Sequence, residues 1–317
     1  MKTRLFEEKH IEPMLIKEQQ QAFDDPDYIY ELKYDGLRCI AYLDPKHSTD
    51  LRNKRDVPIL KLYPELKDLH HQVNKRCILD GELVLFDNGA PNFHKMQKRS
   101  IMKDPFKIKI TAKQNPVSYI AFDILVLEDE NIMKLPLMER KAYLQRHVKD
   151  GERLYINRYI EEQGIAFYRL IEERNLEGIV AKHKESPYQP GKRSRDWIKI
   201  KNTNEDDFVV CGYYYQSRDG LTLILGQYSG DQLVYRGNVS LGVNNLKFLN
   251  EYNAEKIIEP LFTVKNKDII WLKPTVVCVI NYMYKSDNGA LRQPVLKGFR
   301  NDKNAKSCII KRELEKL

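Results

Sequence analysis

The sequence predicts an α+β protein of two domains, the second of which is a small β-barrel. The length of 317 residues favours two compact domains over one. A polar segment at residues 202–207 has no apolar side chain and separates two strand-like runs. Strands and helices are mixed before this segment, whereas short strands interrupted by glycines follow it. We therefore expect one domain at residues 1–204 and another at residues 205–317.

In the first domain, each element is predicted from its local pattern. A short helix is expected at residues 16–23 within an N-terminal arm. Residues 28–43 and 78–86 surround Asp35-Gly36 and Asp80-Gly81, so each stretch predicts two strands joined by a tight turn. Further strands are predicted at residues 117–127, 179–183 and 197–201, and helices at residues 136–148 and 165–175.

The second domain is predicted from a series of short strands. These strands lie at residues 208–215, 221–228, 233–239, 269–272 and 276–284, and a helix is expected at residues 246–255. About five short strands with a single helix are typical of a small barrel such as the OB-fold.

Composition indicates a folded protein with a polyanionic partner. Hydrophobic residues make up 42% and charged residues 31% of the chain, which is enough to build ordinary cores. The net charge of +8 favours phosphate-rich partners, because Lys and Arg that neutralise phosphates release bound counterions. Residues 290–317 alone hold eight basic and three acidic side chains. A solvated basic tail is the alternative explanation for that segment.

The cysteines and the apolar runs exclude several classes of protein. Five cysteines, an odd number without a CxxC pair, argue against a disulfide framework and a four-cysteine zinc site. The N-terminus lacks the apolar region of a secretory signal, and no run is long enough to span a bilayer. The absence of GxxxxGK[ST] argues against a P-loop NTPase. We expect a cytoplasmic monomer without a membrane partner.

Six short motifs follow one another along the chain. They are KYDGLR at residues 33–38, DGE at 80–82, FD at 122–123, EGIVAK at 177–182, WIKIK at 197–201 and LKGFRNDK at 296–303. Each alone has an ordinary explanation, such as a charged hairpin or an edge strand with outward lysines. Their occurrence together in this order is much harder to attribute to chance.

With these motifs the chain resembles the covalent nucleotidyltransferase superfamily of DNA ligases, RNA ligases and mRNA capping enzymes. It is most similar to compact ATP-dependent bacterial DNA ligases, including the ligase module of bacterial end-joining enzymes. The resemblance covers residues 13–303 and is especially close at residues 191–201 and 291–303. It implies an α+β fold: an ATP-grasp-like nucleotidyltransferase domain with antiparallel sheets, followed by a C-terminal OB-fold barrel.

The same resemblance implies an ATP-dependent DNA ligase that joins 3′-hydroxyl and 5′-phosphate ends in nicked double-stranded DNA. An amine that attacks a nucleotide must first lose its proton, which nearby cations or desolvation favour. By resemblance, Lys33 is the nucleophile that carries AMP, and Lys199 and Lys201 contact the α-phosphate of ATP. Their alternation places both lysines on one face of a strand. Asp35 is implied as a partner of the metal or of the lysine.

Metal and nucleotide contacts are also implied by the resemblance. Glu82 and Glu177 match the carboxylates that bind Mg²⁺ (or Mn²⁺), which prefers oxygen ligands. Phe122 and Val180 are expected on the two faces of adenine, although core packing is the competing explanation for both. Glu31 is expected to bind the exocyclic amine.

Four basic residues complete the implied site. Arg38 and Arg52 are expected to hold the ribose and the 5′-phosphate of the nick, since Arg suits phosphate. Leu51 stands where the family usually has Ser or Thr before this second arginine. Arg300 and Lys303 match the C-terminal motif that closes over ATP, and a swivel is expected near residues 202–207.

Several alternatives remain open at the level of the sequence. A capping guanylyltransferase that uses GTP, or an RNA ligase, would share the lysine motif. A basic nucleic-acid-binding protein without catalytic activity is an alternative from another functional class. Only thirty-two residues precede Lys33, which leaves no room for the nicotinamide module of NAD-dependent ligases. DNA replication, repair and recombination all remain candidate processes, and an end-binding or clamp protein is a candidate partner.

Overall fold

The structure is a computed structural model that describes residues 3–19, 21–217, 220–242, 251–252, 254–264, 268–285 and 289–310. It divides into two compact units, Met1–Asn202 and Thr203–Leu317. The described residues contain five α-helices and nineteen β-strands.

The first unit combines five helices with two sheets. The helices are α1 (Leu5–Glu8), α2 (Phe93–Ser100), α3 (Pro105–Gln114), α4 (Leu137–His147) and α5 (Gly164–Glu173). The strands are β1 (Leu15–Gln19), β2 (Tyr28–Leu32), β3 (Leu37–Asp44), β4 (Ser48–Asn53), β5 (Cys77–Asp87), β6 (Ala90–Pro91), β7 (Val117–Leu127), β8 (Glu130–Asn131), β9 (Leu154–Ile156), β10 (Tyr159–Glu161), β11 (Gly178–His183) and β12 (Arg193–Lys201). The first sheet has the order β1-β12-β11-β2-β10, and the second is built on β4-β3-β5-β7-β8.

Apolar side chains fill the space between these two sheets. Ile29 of β2 and Trp197 of β12 meet Ile40 of β3 and Leu125 of β7 in one buried cluster. A second cluster covers the other face of the second sheet, and α5 covers the other face of the first. Because β7 is buried on both faces, its sequence is an almost continuous apolar run. The strand predicted at residues 117–127 is therefore confirmed with its limits.

Three local predictions in the first unit are wrong. Residues 15–19 form a strand, β1, which pairs in parallel with β12 and is not a helix. The strands on either side of Asp35-Gly36 do not form a hairpin, because β2 pairs with β10 and β11 whereas β3 pairs with β4 and β5. The chain crosses from one sheet to the other at this point. Residues 78–86 belong to one continuous strand, β5.

The second unit is an antiparallel sheet of seven strands. They are β13 (Asn204–Ser217), β14 (Gly220–Ser229), β15 (Gln232–Gly242), β16 (Lys256–Ile257), β17 (Ile270–Leu272), β18 (Val277–Tyr282) and β19 (Val295–Arg300). The long β13 pairs with β14 along one edge and with β17 and β18 along the other. All five predicted strands are confirmed, whereas β16 and β19 were not predicted. The helix predicted at residues 246–255 lies mostly outside the described residues.

The polar segment between the units is shorter than its composition suggests. Because β12 ends at Lys201 and β13 begins at Asn204, only Asn202 and Thr203 lie between strands. Polar residues 204–207 pair with residues 279–282 of β18. All five cysteines are buried and free. In the described part of the chain, no helix has the length and apolar character needed to cross a membrane.

Candidate active site

A cleft in the first unit brings together six of the predicted site residues. Its lining includes Glu31, Lys33, Arg38, Glu82, Phe122 and Val180. Other lining residues, among them Asn157, Lys182 and Trp197, were not predicted as site residues. Both sheets of this unit supply side chains to the cleft, so its geometry follows from their registers.

The first sheet aligns its contributors in a single row across the strands. Glu31 of β2 lies opposite Val180 of β11, which lies opposite Lys199 of β12. Lys199 in turn lies opposite Glu18 of β1. Residues opposite one another project to the same face of a sheet. The row therefore places residues from four separate parts of the sequence side by side.

The second sheet contributes a row of its own and an irregularity. Arg38 of β3 lies directly opposite Glu82 of β5. Between β5 and β7 the register shifts, because Asp80 pairs with Asp123 and Gly81 pairs with Ala121. Phe122 is the extra residue of this bulge. Bulges re-aim a side chain, which accounts for a large ring in the cleft lining at this position.

Lys33 lies on the segment that crosses between the sheets. Its backbone N–H donates to the carbonyl of Gly178 at 3.0 Å. Its Nζ donates to Oε1 of Glu177 at 2.5 Å. Gly178 has a φ of 142°, and a Cβ at this position would lie 2.2 Å from the carbonyl oxygen of Ile200. Glycine is thus required beside the lysine by both conformation and space.

The two predicted metal carboxylates are sheltered. Burial raises the pKa of Glu82 to about 8, while the charges of Arg38 and Lys33 oppose this rise. Burial also raises the pKa of Glu177, against the opposing charge of Lys33 and with a contribution from Asp35. Oε2 of Glu177 is buried and has no hydrogen-bond partner among the described residues. A buried acceptor without a partner is costly unless a cation or another donor meets it.

Glu31 is buried within a network of cations and an amide. Its Oε1 accepts from Nζ of Lys141, and its Oε2 accepts from Nδ2 of Asn157 at 3.0 Å. Lys182 forms an ion pair with Oε2 at 2.8 Å. Burial lowers the pKa of Lys182 to about 8, although the charge of Glu31 opposes this shift. The Glu31 carboxylate is therefore already used by the protein, and its contact with adenine stays a prediction.

Lys182 and Phe122 form the back of the cleft. The ammonium group of Lys182 lies 4.4 Å from the ring centre of Phe122 and 4.0 Å from that of Trp197. The next residue after the phenylalanine, Asp123, is fully buried and accepts two hydrogen bonds of 2.9 Å from Arg140 of α4. This buried pair anchors the strand beside the ring.

Arg38 is held in place before any ligand arrives. Its Nε and Nη2 each donate to the buried carboxylate of Asp80 at 2.6 Å. The hydroxyl of Tyr188 donates to the same carboxylate at 2.6 Å. The guanidinium group also stacks 4.5 Å from the ring centre of Phe122. Such a fork gives the arginine a single orientation next to the aromatic ring.

Lys199 and Lys201 share a carboxylate that was not predicted. Nζ of Lys199 lies 2.8 Å and Nζ of Lys201 lies 3.8 Å from Oε2 of Glu18. Burial tends to raise the pKa of Glu18, but the hydrogen bond from Lys199 and the charge of Lys201 lower it overall. Lys33 adds to this lowering, so the three lysines lie in one positive field.

Seven of the predicted site residues do not line this cleft: Asp35, Glu177, Lys199 and Lys201, whose charges act together with that of Lys33, and the three basic residues Arg52, Arg300 and Lys303. Arg52 of β4 contacts Asp50 at 3.2 Å and Asp56 at 3.1 Å and is not among the residues that line the cleft. Arg300 and Lys303 belong to the second unit, where both contact Asp207 of β13. The roles of all three in binding phosphate stay predictions.

Comparison with known proteins identifies matching families and folds. The family profile described as ATP dependent DNA ligase domain matches residues 12–201, and that described as ATP dependent DNA ligase C terminal region matches residues 218–303. A DNA ligase-like protein LigB of a Bacillus subtilis prophage is 28% identical, over 92% of this chain and 99% of the relative. The multifunctional non-homologous end joining protein LigD of Mycolicibacterium smegmatis is 29% identical over 94% of this chain, which spans 39% of that relative.

The solved structure of mycobacterial DNA ligase D complexed with ATP and MES superposes with a TM-score of 0.56. It is 25% identical, and the match covers 95% of this chain and 98% of that one. Fold and site together define an ATP-dependent enzyme with a nucleotidyltransferase domain of antiparallel sheets followed by an OB-fold domain. The chain belongs to the ATP-dependent DNA ligase family. The predicted fold class and enzyme class are thus confirmed.

Sequence reasoning missed the residues that hold the predicted ones in place. Glu18 lies in the segment predicted as a helix, where its position opposite Lys199 could not be foreseen. Lys182 is the last residue of the EGIVAK motif and could have been singled out. Asn157 has no comparable pattern around it.

Proposed function

We propose that this protein seals nicks in double-stranded DNA through an AMP bound covalently to Lys33. The hydrogen bond between Nζ of Lys33 and Glu177, in a cleft lined by Arg38 and Phe122, is the observation that supports this most directly. An amine with a neighbouring carboxylate is the arrangement expected of an activated nitrogen nucleophile. Membership of the ATP-dependent DNA ligase family supplies the nucleotide and the class of substrate.

In the first step, Nζ of Lys33 loses its proton to water, which the nearby charges of Lys199 and Lys201 favour. The nitrogen lone pair then forms a bond to the α-phosphorus of ATP, and the bond to the bridging oxygen of pyrophosphate breaks. Lys199 and Lys201 stabilise the negative charge on the α-phosphate as Glu18 gives way to it. Electrostatic stabilisation of this kind supplies a large part of catalysis in phosphoryl transfer.

The next two steps free the lysine and then join the DNA strand. An oxygen of the 5′-phosphate at the nick attacks the same phosphorus, and the bond to Lys33 breaks as its nitrogen regains a proton. The 3′-hydroxyl then attacks the phosphorus of the 5′-phosphate and gives up its proton to water, and AMP leaves with the electron pair of the broken bond. Arg38, which Asp80 holds in one orientation, is expected to contact the ribose or the 5′-phosphate.

The site fits a divalent cation. Oε2 of Glu177 is buried without a hydrogen-bond partner among the described residues, and the half-buried Glu82 lines the cleft beside Lys33. No group of three or more His, Cys, Asp or Glu side chains gathers in the described chain. Mg²⁺ (or Mn²⁺) held by Glu82 and Glu177, with water and phosphate oxygens as further ligands, satisfies both facts. When bound, it would neutralise charge on the phosphates.

Adenine is expected between Phe122 and Val180. Phe122 is fixed at the bulge of β7, and Val180 lies in the central row of the first sheet. Lys182 lines the same cleft and offers a hydrogen-bond donor to the edge of a base. The ATP complex of the mycobacterial relative supports ATP as the nucleotide.

The second unit is expected to supply Arg300 and Lys303 to the pyrophosphate during the first step. Residues 202 and 203, which lie between the last strand of one unit and the first of the next, are the proposed swivel. The LigD relative, by its name, acts in non-homologous end joining. We expect the same kind of role, DNA repair in the bacterial cytosol or nucleoid, for this chain. An end-binding or clamp protein is the class of partner that we expect.

A sealing assay with matched substrates tests this function. Wild type and Lys33→Ala are incubated with Mg²⁺ and either ATP or GTP, on nicked DNA and on nicked RNA duplexes. We expect wild type to seal nicked DNA with ATP and Lys33→Ala to seal nothing. Sealing of nicked RNA in preference to DNA would indicate an RNA ligase. Covalent labelling by GTP without sealing would indicate a guanylyltransferase. If the protein shows neither labelling nor sealing, the proposal that it is a catalyst is contradicted.

A further inference from the structure

The segment from α2 to the end of α3 concentrates positive charge on the first unit. Between Phe93 and Gln114 the sequence has seven Lys and Arg residues and one acidic residue, Asp104. This aspartate caps α3, since its Oδ1 accepts from the backbone N–H of Phe106 at 2.9 Å. One oxygen of the single acidic group is therefore engaged with the helix terminus, and the segment keeps a large excess of positive charge.

Two of the seven cations are used within the fold. Arg99 is 1% exposed and donates to Glu65 at 2.7 Å, and Lys95 pairs with Asp87 at 2.9 Å. The remaining five are exposed and form no ion pair with any residue that the structure describes. They are Lys98, Lys103, Lys107, Lys109 and Lys113.

Apolar side chains are exposed among these lysines. Phe106 is 72% exposed, Ile101 is 71% exposed and Ile110 is 40% exposed. Phe106 and Ile110 are four residues apart on α3 and therefore share one face, whereas Ile108 and Ala112 anchor the opposite side in the protein. We call these five lysines and three apolar residues the α2–α3 surface. A purely solvated helix has no reason to present large apolar groups in this way.

This surface lies on the second sheet, whose other face contributes to the cleft. The helix α2 packs against β5, the strand that supplies Glu82 to the cleft, and Lys95 of α2 pairs with Asp87 at the end of that strand. Met96 of α2 shares a buried cluster with Leu83 and Leu85, which alternate with Glu82 along β5 and therefore project away from the cleft. The rise along a strand puts Glu82 and Asp87 about 16 Å apart. Along one strand of duplex DNA, 16 Å corresponds to roughly five phosphates.

We propose that the α2–α3 surface binds the sugar–phosphate backbone of the DNA duplex flanking the nick. Its lysines neutralise phosphates, and Phe106 and Ile101 contact the apolar edges of the deoxyriboses in the minor groove. The proposal rests on the proposed function, because it assigns a second contact to the same DNA substrate. It explains how cations and exposed apolar groups come to share one surface.

A triple substitution tests the lysines. In Lys107→Gln/Lys109→Gln/Lys113→Gln, we expect the KM for nicked duplex to rise about tenfold or more at moderate salt. The slope of log affinity against log salt should shrink by about 2 to 3, since each lost phosphate contact removes roughly 0.9. Labelling of the enzyme by ATP in the absence of DNA should stay at the wild-type rate.

The matched control changes the same charge elsewhere on the unit. Lys54→Gln/Lys61→Gln/Lys134→Gln also removes three exposed lysines, and it should leave the KM and most of the salt slope unchanged. The corresponding triple arginine variant of Lys107, Lys109 and Lys113 keeps the charge and should bind nicked DNA as wild type does. Phe106→Ala should weaken DNA binding without changing the salt slope, because it removes no charge.

Each outcome decides one question. If wild type neither takes up AMP nor seals DNA, the proposed function fails. If wild type seals DNA and the glutamine variant matches it in KM and salt slope, only the α2–α3 surface is contradicted. Equal losses in the glutamine and control variants would mean a general charge effect and would also contradict it. Loss of ATP labelling in both the glutamine and arginine variants would show a structural role and overturn the proposal.

Discussion

The two units each bring two cations to one carboxylate, but they shelter that carboxylate differently. In the first unit, Lys199 and Lys201 contact Glu18, whose side chain is 53% exposed. In the second unit, the carboxylate is that of Asp207, which is 15% exposed. An exposed partner exchanges readily with solvent and with phosphate, whereas a sheltered one holds its cations in a defined arrangement.

The arrangement in the second unit is also the more tightly bonded. Nη1 of Arg300 lies 3.2 Å from both carboxylate oxygens of Asp207, and Nζ of Lys303 contacts the same group. Asp302 adds two further hydrogen bonds to Arg300, at 2.9 and 2.6 Å. We infer that Glu18 occupies the position of a phosphate until one arrives, while Asp207 fixes the geometry of its two cations.

Removal of a cation should have the largest effect. Lys199→Ala should slow formation of the lysyl–AMP adduct by about 100-fold or more, the scale of a lost charge contact in the transition state. Rapid-quench labelling with ATP measures this rate. The control Lys192→Ala removes an exposed lysine just before the same strand and should label normally. A labelling rate near that of wild type in Lys199→Ala would contradict the proposed contact of this lysine with the α-phosphate.

Removal of the sheltered carboxylate should have an intermediate effect. Asp207→Asn should slow adduct formation about tenfold, the scale of one hydrogen bond to a charged group. Closure of a nick that already carries AMP should be unchanged, and a general loss of folding would reduce both activities. Glu205→Gln, which removes an exposed partner of Lys297 on the same strand, is the matched control. Equal effects of Asp207→Asn and Glu205→Gln on labelling would contradict a specific role of the sheltered carboxylate in adduct formation.

Removal of the exposed carboxylate should have a smaller effect of the opposite sign. Glu18→Gln should lower the KM for ATP about two- to fivefold, because the nucleotide no longer has to displace an ion pair worth up to about 1 kcal/mol. The kcat should change little. Steady-state kinetics at several ATP concentrations measure both values. An unchanged or higher KM would mean that Glu18 assists nucleotide binding and does not compete with it.

The remaining effect is on stability and concerns Lys182, whose carboxylate partner Glu31 is buried. Burial lowers its pKa to about 8, so between this value and the ordinary 10.5 the unfolded chain binds more protons than the folded one. The free energy of unfolding should therefore rise with pH in that window. Lys182→Met should flatten this rise, which urea titrations at pH 8 and pH 10 can measure. An identical pH dependence in wild type and variant would contradict the burial argument.

The sequence predicts the residues of the cleft better than the contacts among them. Lys33, Glu82, Phe122 and Val180 lie in short motifs, and they meet because β5, β7, β11 and the crossing segment bring them to one cleft. The predicted strand at residues 117–127 was right because burial on both faces leaves a plain apolar run. These features are local in the sequence and therefore visible in it.

The incorrect predictions have a physical cause. Asp35-Gly36 has the composition of a hairpin turn, but each flanking strand finds partners in a different sheet. The partner of Lys199 could not be foreseen, because Glu18 reaches it only through the parallel pairing of β1 with β12. Likewise, Asp207 of β13 and Arg300 of β19 are 93 positions apart in the sequence and meet because both strands pair with β18. Long-range pairing of this kind leaves no trace in a local pattern.

The central claim is that AMP is bound to Nζ of Lys33. Wild type is incubated with ATP and Mg²⁺ without DNA, digested, and analysed by tandem mass spectrometry to locate the adduct. We predict one modified peptide, containing Lys33, with a phosphorus–nitrogen bond that acid cleaves and alkali does not, and which disappears when nicked DNA is added. An adduct on another residue, or an acid-stable adduct on Lys33 that nicked DNA does not discharge, would contradict the account.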